Sequence, residues 1–108
     1  MSAARLERRE DGGCALFGAL TFDTVPQLFQ QGQQLCAGGA AVALDLAGVE
    51  RSDSAGLALL VGWTRLARQQ KGSITFHNVP AQLLGLARVG GVGQLLAFPS
   101  LLESASPE

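Results

Sequence analysis

The residues of this sequence that could do chemistry are a few acids, one histidine and two cysteines. His77 is the single histidine and lies in a predicted β-strand, where a lone imidazole is usually structural, and no Ser/His/Asp triad can be assembled around it. Asp45 and Asp53 flank one predicted loop and could be neighbours in space. A carboxylate pair without a base, a metal partner or a pocket is weak evidence for catalysis. We therefore assign these two acids to helix capping and loop hydrogen bonding.

Phosphate-binding and metal-binding patterns are also missing. The sequence has no GxxxxGK[ST] loop, and its glycine-rich stretch at 90–93 follows a predicted helix instead of leading into one. Cys14 and Cys36 are predicted to be reduced core residues, because we expect a cytoplasmic protein. Two thiols alone make no metal site. The sequence therefore predicts no catalytic residue, no cofactor and no metal.

Composition narrows the class of protein further. A chain of 108 residues fits one domain, and 47% hydrophobic residues indicate a globular fold. The 8 basic and 9 acidic residues leave a net charge of -1, which argues against a nucleic-acid binder. The first ten residues lack the apolar stretch of a signal peptide, and the longest apolar run, 56–63, is far shorter than the roughly 20 residues of a membrane span. We expect a cytoplasmic protein that does not insert into a membrane.

Hydrophobic patterning predicts the element order ββαβαβαβ. Strands are predicted at 5–10, 14–20, 40–46, 73–79 and 95–98, and helices from the cap Thr24 to Gly38-Gly39, at 54–71 and at 80–89. Strands that alternate with helices imply an α/β fold with a mixed, mostly parallel sheet flanked by helices.

Three finer expectations follow from this pattern. The apolar run 40–46 predicts a central strand covered on both faces, followed by a loop at 47–53. The start of the chain predicts a hairpin around Gly12-Gly13. We expect a single domain over 1–102, with a short turn at Leu101 and Leu102, and a flexible tail over 103–108.

One segment is specific enough to suggest a family. Residues 45–57, DLAGVERSDSAGL, resemble the signature of STAS domains, in which a strand ending in Asp-Leu leads through a loop with a buried Val to Asp-Ser/Thr-x-Gly-Leu at the start of a helix. Upstream, GALT at 18–21 is similar to the family's Gly-Glu-Leu-Thr/Asp turn, with Ala19 in place of the usual acid. The resemblance implies the STAS fold, which anti-sigma-factor antagonists share. Independently of the family, Asp53 or Ser54 can cap this helix, and Gly56 allows a close backbone approach.

The residue before the motif glycine separates two branches of the family. Anti-sigma-factor antagonists carry a phosphorylatable serine there, whereas this chain has Ala55. Ser54 and the continuation GLALL at 56–60 are similar to the MlaB-type STAS subunit of bacterial phospholipid-transport ABC complexes. The resemblance implies a non-enzymatic accessory subunit that binds an MlaF-like ATPase, which in turn binds a membrane permease at the inner membrane. An anti-sigma-factor antagonist or another stress-signalling STAS protein is the alternative.

The periodicity of the helix that begins at Ser54 predicts its two faces. One face should be core and carries Leu59, Leu60, Trp63, Leu66 and Ala67. The opposite face is apolar at its start and basic at its end, which solvent alone would not select. We therefore predict a partner-binding surface made of Asp53, Ser54, Leu57, Ala58, Val61 and Arg65.

Overall fold

The computed structural model describes residues 4–10 and 12–91. The elements in chain order are β1 (Arg5–Arg8), β2 (Cys14–Leu20), α1 (Val25–Cys36), a 3-10 turn (Ala37–Gly39), β3 (Ala41–Ser52), α2 (Ser54–Gln69), β4 (Ser73–His77) and α3 (Ala81–Gly90). This order matches the predicted one up to α3. The strand predicted at 95–98, the turn at Leu101 and Leu102 and the tail at 103–108 lie outside the described residues. No described helix combines the length and apolar character that a bilayer crossing requires.

The described strands form one sheet in the order β1-β2-β3-β4. β1 runs antiparallel to β2, whereas β2–β3 and β3–β4 are parallel pairs. The hairpin predicted around Gly12-Gly13 is confirmed: the Arg9 N–H donates to the Gly13 carbonyl at 2.8 Å, and Gly12 has φ +90°. The expected mixed, mostly parallel α/β fold is therefore confirmed.

β3 is the central strand, as predicted, but two details of the prediction are wrong. Val42, Leu44 and Leu46 are buried, whereas Ala41 and Ala43 are exposed, so the strand is not covered on both faces at this end. The predicted loop at 47–53 is strand as far as Ser52, because its backbone pairs with β2 through Phe17↔Gly48 and Leu20↔Ser52. Backbone pairing with a neighbour overrides the glycine and the charged residues that suggest a loop.

Trp63 is the largest buried side chain and joins α1 to α2. It is 1% exposed, and its indole N–H donates to the Phe29 carbonyl at 3.3 Å. A Cβ on Gly32 would lie 2.1 Å from the Trp63 Nε1 atom, so glycine makes room for the indole. The predicted core face of α2 is confirmed for Leu59, Leu60, Trp63 and Ala67, and Leu66 is half-buried.

The start of α1 departs from the expected cap. Thr24 occupies the N-cap position but makes no capping bond with its side chain. Its hydroxyl instead donates to the Ala19 carbonyl at 2.8 Å and accepts from the Thr21 N–H at 3.0 Å. Thr24 therefore fastens the turn between β2 and α1 to the end of β2.

Both cysteines are buried, in agreement with the prediction of core residues, and they are not joined by a disulfide. Burial, together with the neighbouring Cys14, raises the pKa of the Cys36 thiol. The Cys36 Sγ lies 3.9 Å from the Trp63 carbonyl oxygen. The thiol of Cys36 is therefore held in its neutral form inside the α1–α2 contact.

Candidate partner-binding face

The first turn of α2 is fixed by Asp53. Its backbone is extended, and its carboxylate accepts a hydrogen bond from the Ala55 N–H at 2.8 Å. Asp53 is therefore the cap, and the negative charge suits the helix N-terminus. Ser54 is the first helical residue, is exposed, and makes no side-chain hydrogen bond to the described part of the chain. Its hydroxyl remains available to a partner.

Gly56 allows the first turn of α2 to pack closely against the ends of β2 and β3. A Cβ there would lie 1.9 Å from the Ser52 Oγ and 2.9 Å from the Leu20 Cβ, so no side chain fits. The Asp53 N–H donates to the Leu20 carbonyl at 3.2 Å, which joins the end of β2 to the start of α2. On the other side, the Gln82 Oε1 of α3 accepts from the Ser52 N–H at 3.1 Å. The carboxyl ends of β2 and β3 and the N-termini of α2 and α3 therefore form one rigid corner.

The predicted partner-binding residues lie at this corner and along α2. The expectation that all of them face outward is wrong for Leu57 and Val61, which pack partly against the core. Ser54, Ala58 and Arg65 are exposed, whereas Asp53, Leu57 and Val61 are half-buried. The Leu57 side chain approaches the end of α3, where a Cβ on Gly90 would lie 3.9 Å from its Cδ2. The structure thus brings the six residues onto one face, and their role in binding stays a prediction.

Phe22, which the sequence interpretation missed, lies in a turn beside this face. It lies in the turn between β2 and α1 and is 74% exposed, unusual for an aromatic side chain. The same turn adjoins the start of α2, because Thr21 and Asp53 line one crevice of about 290 Å³ together with Arg51 and Gln82. The available signal was an aromatic residue between the polar Thr21 and Asp23 in a predicted turn.

The acids that we considered for catalysis are not neighbours. Asp45 lies within β3 and Asp53 follows its last residue, so extended strand separates them by about 26 Å. The Asp45 carboxylate accepts from the Asn78 side chain at 3.0 Å and from the Ala47 N–H at 2.8 Å, and it pairs with Arg9 at 2.8 Å. These contacts, the Asn78 hydrogen bond first, lower the pKa of Asp45. Asp45 thus connects the turn after β1, through Arg9, with the turn after β4, through Asn78.

Among the described residues, His77 is not part of a cluster of side chains that could act together in catalysis. Its Nε2 lies 3.0 Å from the Thr75 Oγ1 on the exposed side of β4. Within residues 4–10 and 12–91, no three or more His, Cys, Asp or Glu side chains are grouped so that they could hold a metal ion.

Comparisons with known proteins agree with this fold. The family model described as "Mlab, STAS domain" matches residues 5–102. The chain superposes on the unphosphorylated form of the anti-sigma factor antagonist SpoIIAA with a TM-score of 0.66 and 19% identity, covering 86% of this chain and 84% of that one. It also superposes on the murine anion transporter Slc26a9 with a TM-score of 0.60 and 17% identity, covering 87% of this chain and 19% of that one. No curated protein sequence matches. At these identities the structural likenesses show the fold.

Proposed function

This chain belongs to the MlaB-type STAS domain family, and we propose that it is a non-enzymatic accessory subunit of a phospholipid-transport ABC complex. In this role it binds the ATPase subunit, supports its assembly and activity, and so assists the lipid traffic that maintains outer-membrane asymmetry. It is cytoplasmic and reaches the inner membrane only through the ATPase and its permease.

The observation that carries this proposal is the start of α2. Position 55, which bears the phosphorylated serine in anti-sigma-factor antagonists, is an alanine that is 5% exposed. The neighbouring hydroxyl, Ser54, is exposed and is not used for capping. A switch by phosphorylation at position 55 is chemically excluded here, whereas a constitutive docking surface needs no such switch.

The way in which this surface would act on an ATPase follows from general physics. A subunit without chemistry of its own changes an enzyme by binding one of its conformations more tightly than the others. An apolar patch with a hydroxyl at one end and arginine at the other offers both buried area and directional contacts. We expect the ATPase to present a complementary apolar surface with an acceptor near Arg65.

The test is co-expression with the phospholipid-transport ATPase and permease of the same genome. We expect the ATPase to co-purify with the chain, and the purified chain alone to hydrolyse no ATP. Removal of the chain should lower ATP hydrolysis by the complex. Failure of the ATPase to co-purify, or hydrolysis by the chain that survives removal of contaminating ATPases, would contradict the proposal.

The second candidate function is that of an anti-sigma-factor antagonist. The observation in its favour is that the chain shares its fold with the antagonist SpoIIAA. Incubation with an anti-sigma kinase and labelled ATP separates the two functions. The accessory-subunit proposal predicts no label on the chain and no stable complex with the kinase. Label on Ser54, with retention of the kinase, would instead support the signalling role.

A further inference from the structure

The outer edge of β1 pairs with no other strand in the described part of the chain. The Arg9 N–H donates to the Gly13 carbonyl, and the register runs from Arg8↔Cys14 to Arg5↔Phe17. Because hydrogen-bonded and non-hydrogen-bonded pairs alternate in an antiparallel ladder, the N–H and C=O groups of Leu6 and Arg8 point away from β2. No described strand pairs with that edge.

A groove lies beside this edge on the helix-covered side of the sheet. It has a volume of about 420 Å³ and is lined by Leu6 and Arg8 of β1 and by Leu35 and glutamines of α1, among them Gln27, Gln31 and Gln34. Helix α1 contains no charged residue. The groove therefore has room for the side chains of an added strand, and Arg8 is the charged residue among those that line it.

The charges on the other side of β1 are self-complementary. Arg5 and Glu7 are both exposed, form an ion pair with each other, and lie on the side of the sheet opposite the groove. If a second β1 pairs antiparallel with Leu6 opposite Leu6, each Arg5 lies directly opposite a Glu7 of the second copy. In a register centred on Glu7, two carboxylates would lie opposite each other. In a register centred on Arg8, two guanidinium groups would lie opposite each other. Opposite charges across a strand pair stabilise it, and like charges destabilise it.

From this edge, groove and charge pattern we infer that β1 is a self-association site through which two copies of this chain form one continuous sheet across a two-fold axis at Leu6. The paired residues are Leu6 with Leu6, Arg5 with Glu7, and Ala4 with Arg8. Charged side chains on edge strands commonly prevent such pairing. In the register with Leu6 opposite Leu6, however, opposite charges face each other. The strand is short and the interface small, so the dimer is a weak, concentration-dependent one.

Sedimentation equilibrium of the full chain up to about 1 mM tests the inference. We expect a monomer–dimer equilibrium at low salt that weakens as salt rises. Glu7→Arg should weaken dimerisation by about tenfold or more, because both cross-strand pairs become repulsive. The double variant Arg5→Glu/Glu7→Arg should restore it, because the charges are exchanged but again complementary. Glu50→Arg, an equal charge change at an exposed position of β3, should leave dimerisation unchanged.

Amide hydrogen exchange locates the contact. We expect the Leu6 and Arg8 amides to exchange more slowly as protein concentration rises, while the Arg65 region of α2 does not change. A chain that stays monomeric at about 1 mM overturns the inference. So does a dimer that is insensitive to Glu7→Arg, or one that the double variant fails to restore, because its register or surface would differ.

Discussion

The carboxylate of Asp53 accepts the Ala55 N–H at 2.8 Å, so the aspartate and not the adjacent serine caps α2. Asp53→Ala should lower the free energy of unfolding by about 1 kcal/mol, because a helix N–H loses its acceptor. Asp53→Asn keeps an acceptor and should cost less. Ser54→Ala should leave stability unchanged within about 0.5 kcal/mol. Urea denaturation measures all three, and a larger loss for Ser54→Ala than for Asp53→Ala would contradict this assignment.

Ala58→Arg tests the outward face of α2 with little effect on the fold, because Ala58 is exposed. We expect normal thermal unfolding but loss of the ATPase in a pull-down, since a charge without a partner at an interface is costly. Val61→Glu should also abolish binding, with a destabilisation of about 1 kcal/mol because Val61 is half-buried. Gln33→Glu on exposed α1 is the matched control. Wild-type binding by Ala58→Arg and Val61→Glu would show that the partner binds elsewhere.

Phe22 provides an independent test of the same surface. Phe22→Ala removes an aromatic group that is 74% exposed, so the free energy of unfolding should change by less than about 0.5 kcal/mol. Affinity for the ATPase should fall about tenfold or more if the ring enters the interface, and Phe22→Tyr should retain most of it. Isothermal titration calorimetry with the purified ATPase measures the difference. Unchanged affinity for Phe22→Ala would remove this turn from the interface.

Gly32 and Trp63 should be energetically coupled. Gly32→Ala places a Cβ 2.1 Å from the Trp63 Nε1 and should destabilise the fold by about 1–3 kcal/mol. Trp63→Ala should cost about 3–5 kcal/mol, as expected for a lost core aromatic residue. In the Trp63→Ala background, Gly32→Ala should cost much less, because the clash is gone. Chemical denaturation of the four proteins forms a double-mutant cycle, and additive effects would contradict the close packing.

Asp45 should contribute to the acid sensitivity of the fold. Its folded-state pKa is lowered by Asn78, Ala47 and Arg9, so its stabilisation is fully present above the unfolded-state value. The stabilisation is lost as the pH falls through the lower, folded-state value. Asp45→Asn should therefore be less stable than wild type at neutral pH, with a gap that narrows in acid. Urea denaturation from neutral pH downward measures this gap, and a gap that persists or widens in acid would be the contrary result.

Asp23→Asn is the matched control for this pH series. It removes an exposed carboxylate that has no hydrogen-bond donor among the described residues. Because no described donor contacts its carboxylate, Asp23→Asn should lose less stability at neutral pH than Asp45→Asn. An equal loss of unfolding free energy in the two variants would mean that the contacts of the Asp45 carboxylate do not stabilise the fold.

Most of the helices and strands can be predicted from the sequence, because their hydrophobic periodicity is local. The prediction fails where contacts between distant parts of the chain determine the structure. The residues 47–52 contain Gly48 and charged side chains, yet they are strand because β2 pairs with them. Thr24 has the residue type of a cap, but its hydroxyl is taken by the Ala19 carbonyl. At the candidate site, the helix periodicity placed Ser54, Ala58 and Arg65 correctly on the outside. Phe22 could not be assigned, because only the fold brings its turn beside α2.

The corner at Ser52 also determines when this surface comes into existence during synthesis. The turn that carries Phe22 precedes α1, whereas Gln82 belongs to the final described helix, so the surface is composed of segments far apart in the chain. β2 and β3 are parallel and can pair only after α1 has closed the crossover between them. A nascent or truncated chain that lacks α3 cannot complete the corner. Docking onto a partner would therefore select fully folded copies, and partial products would be left out of the assembly.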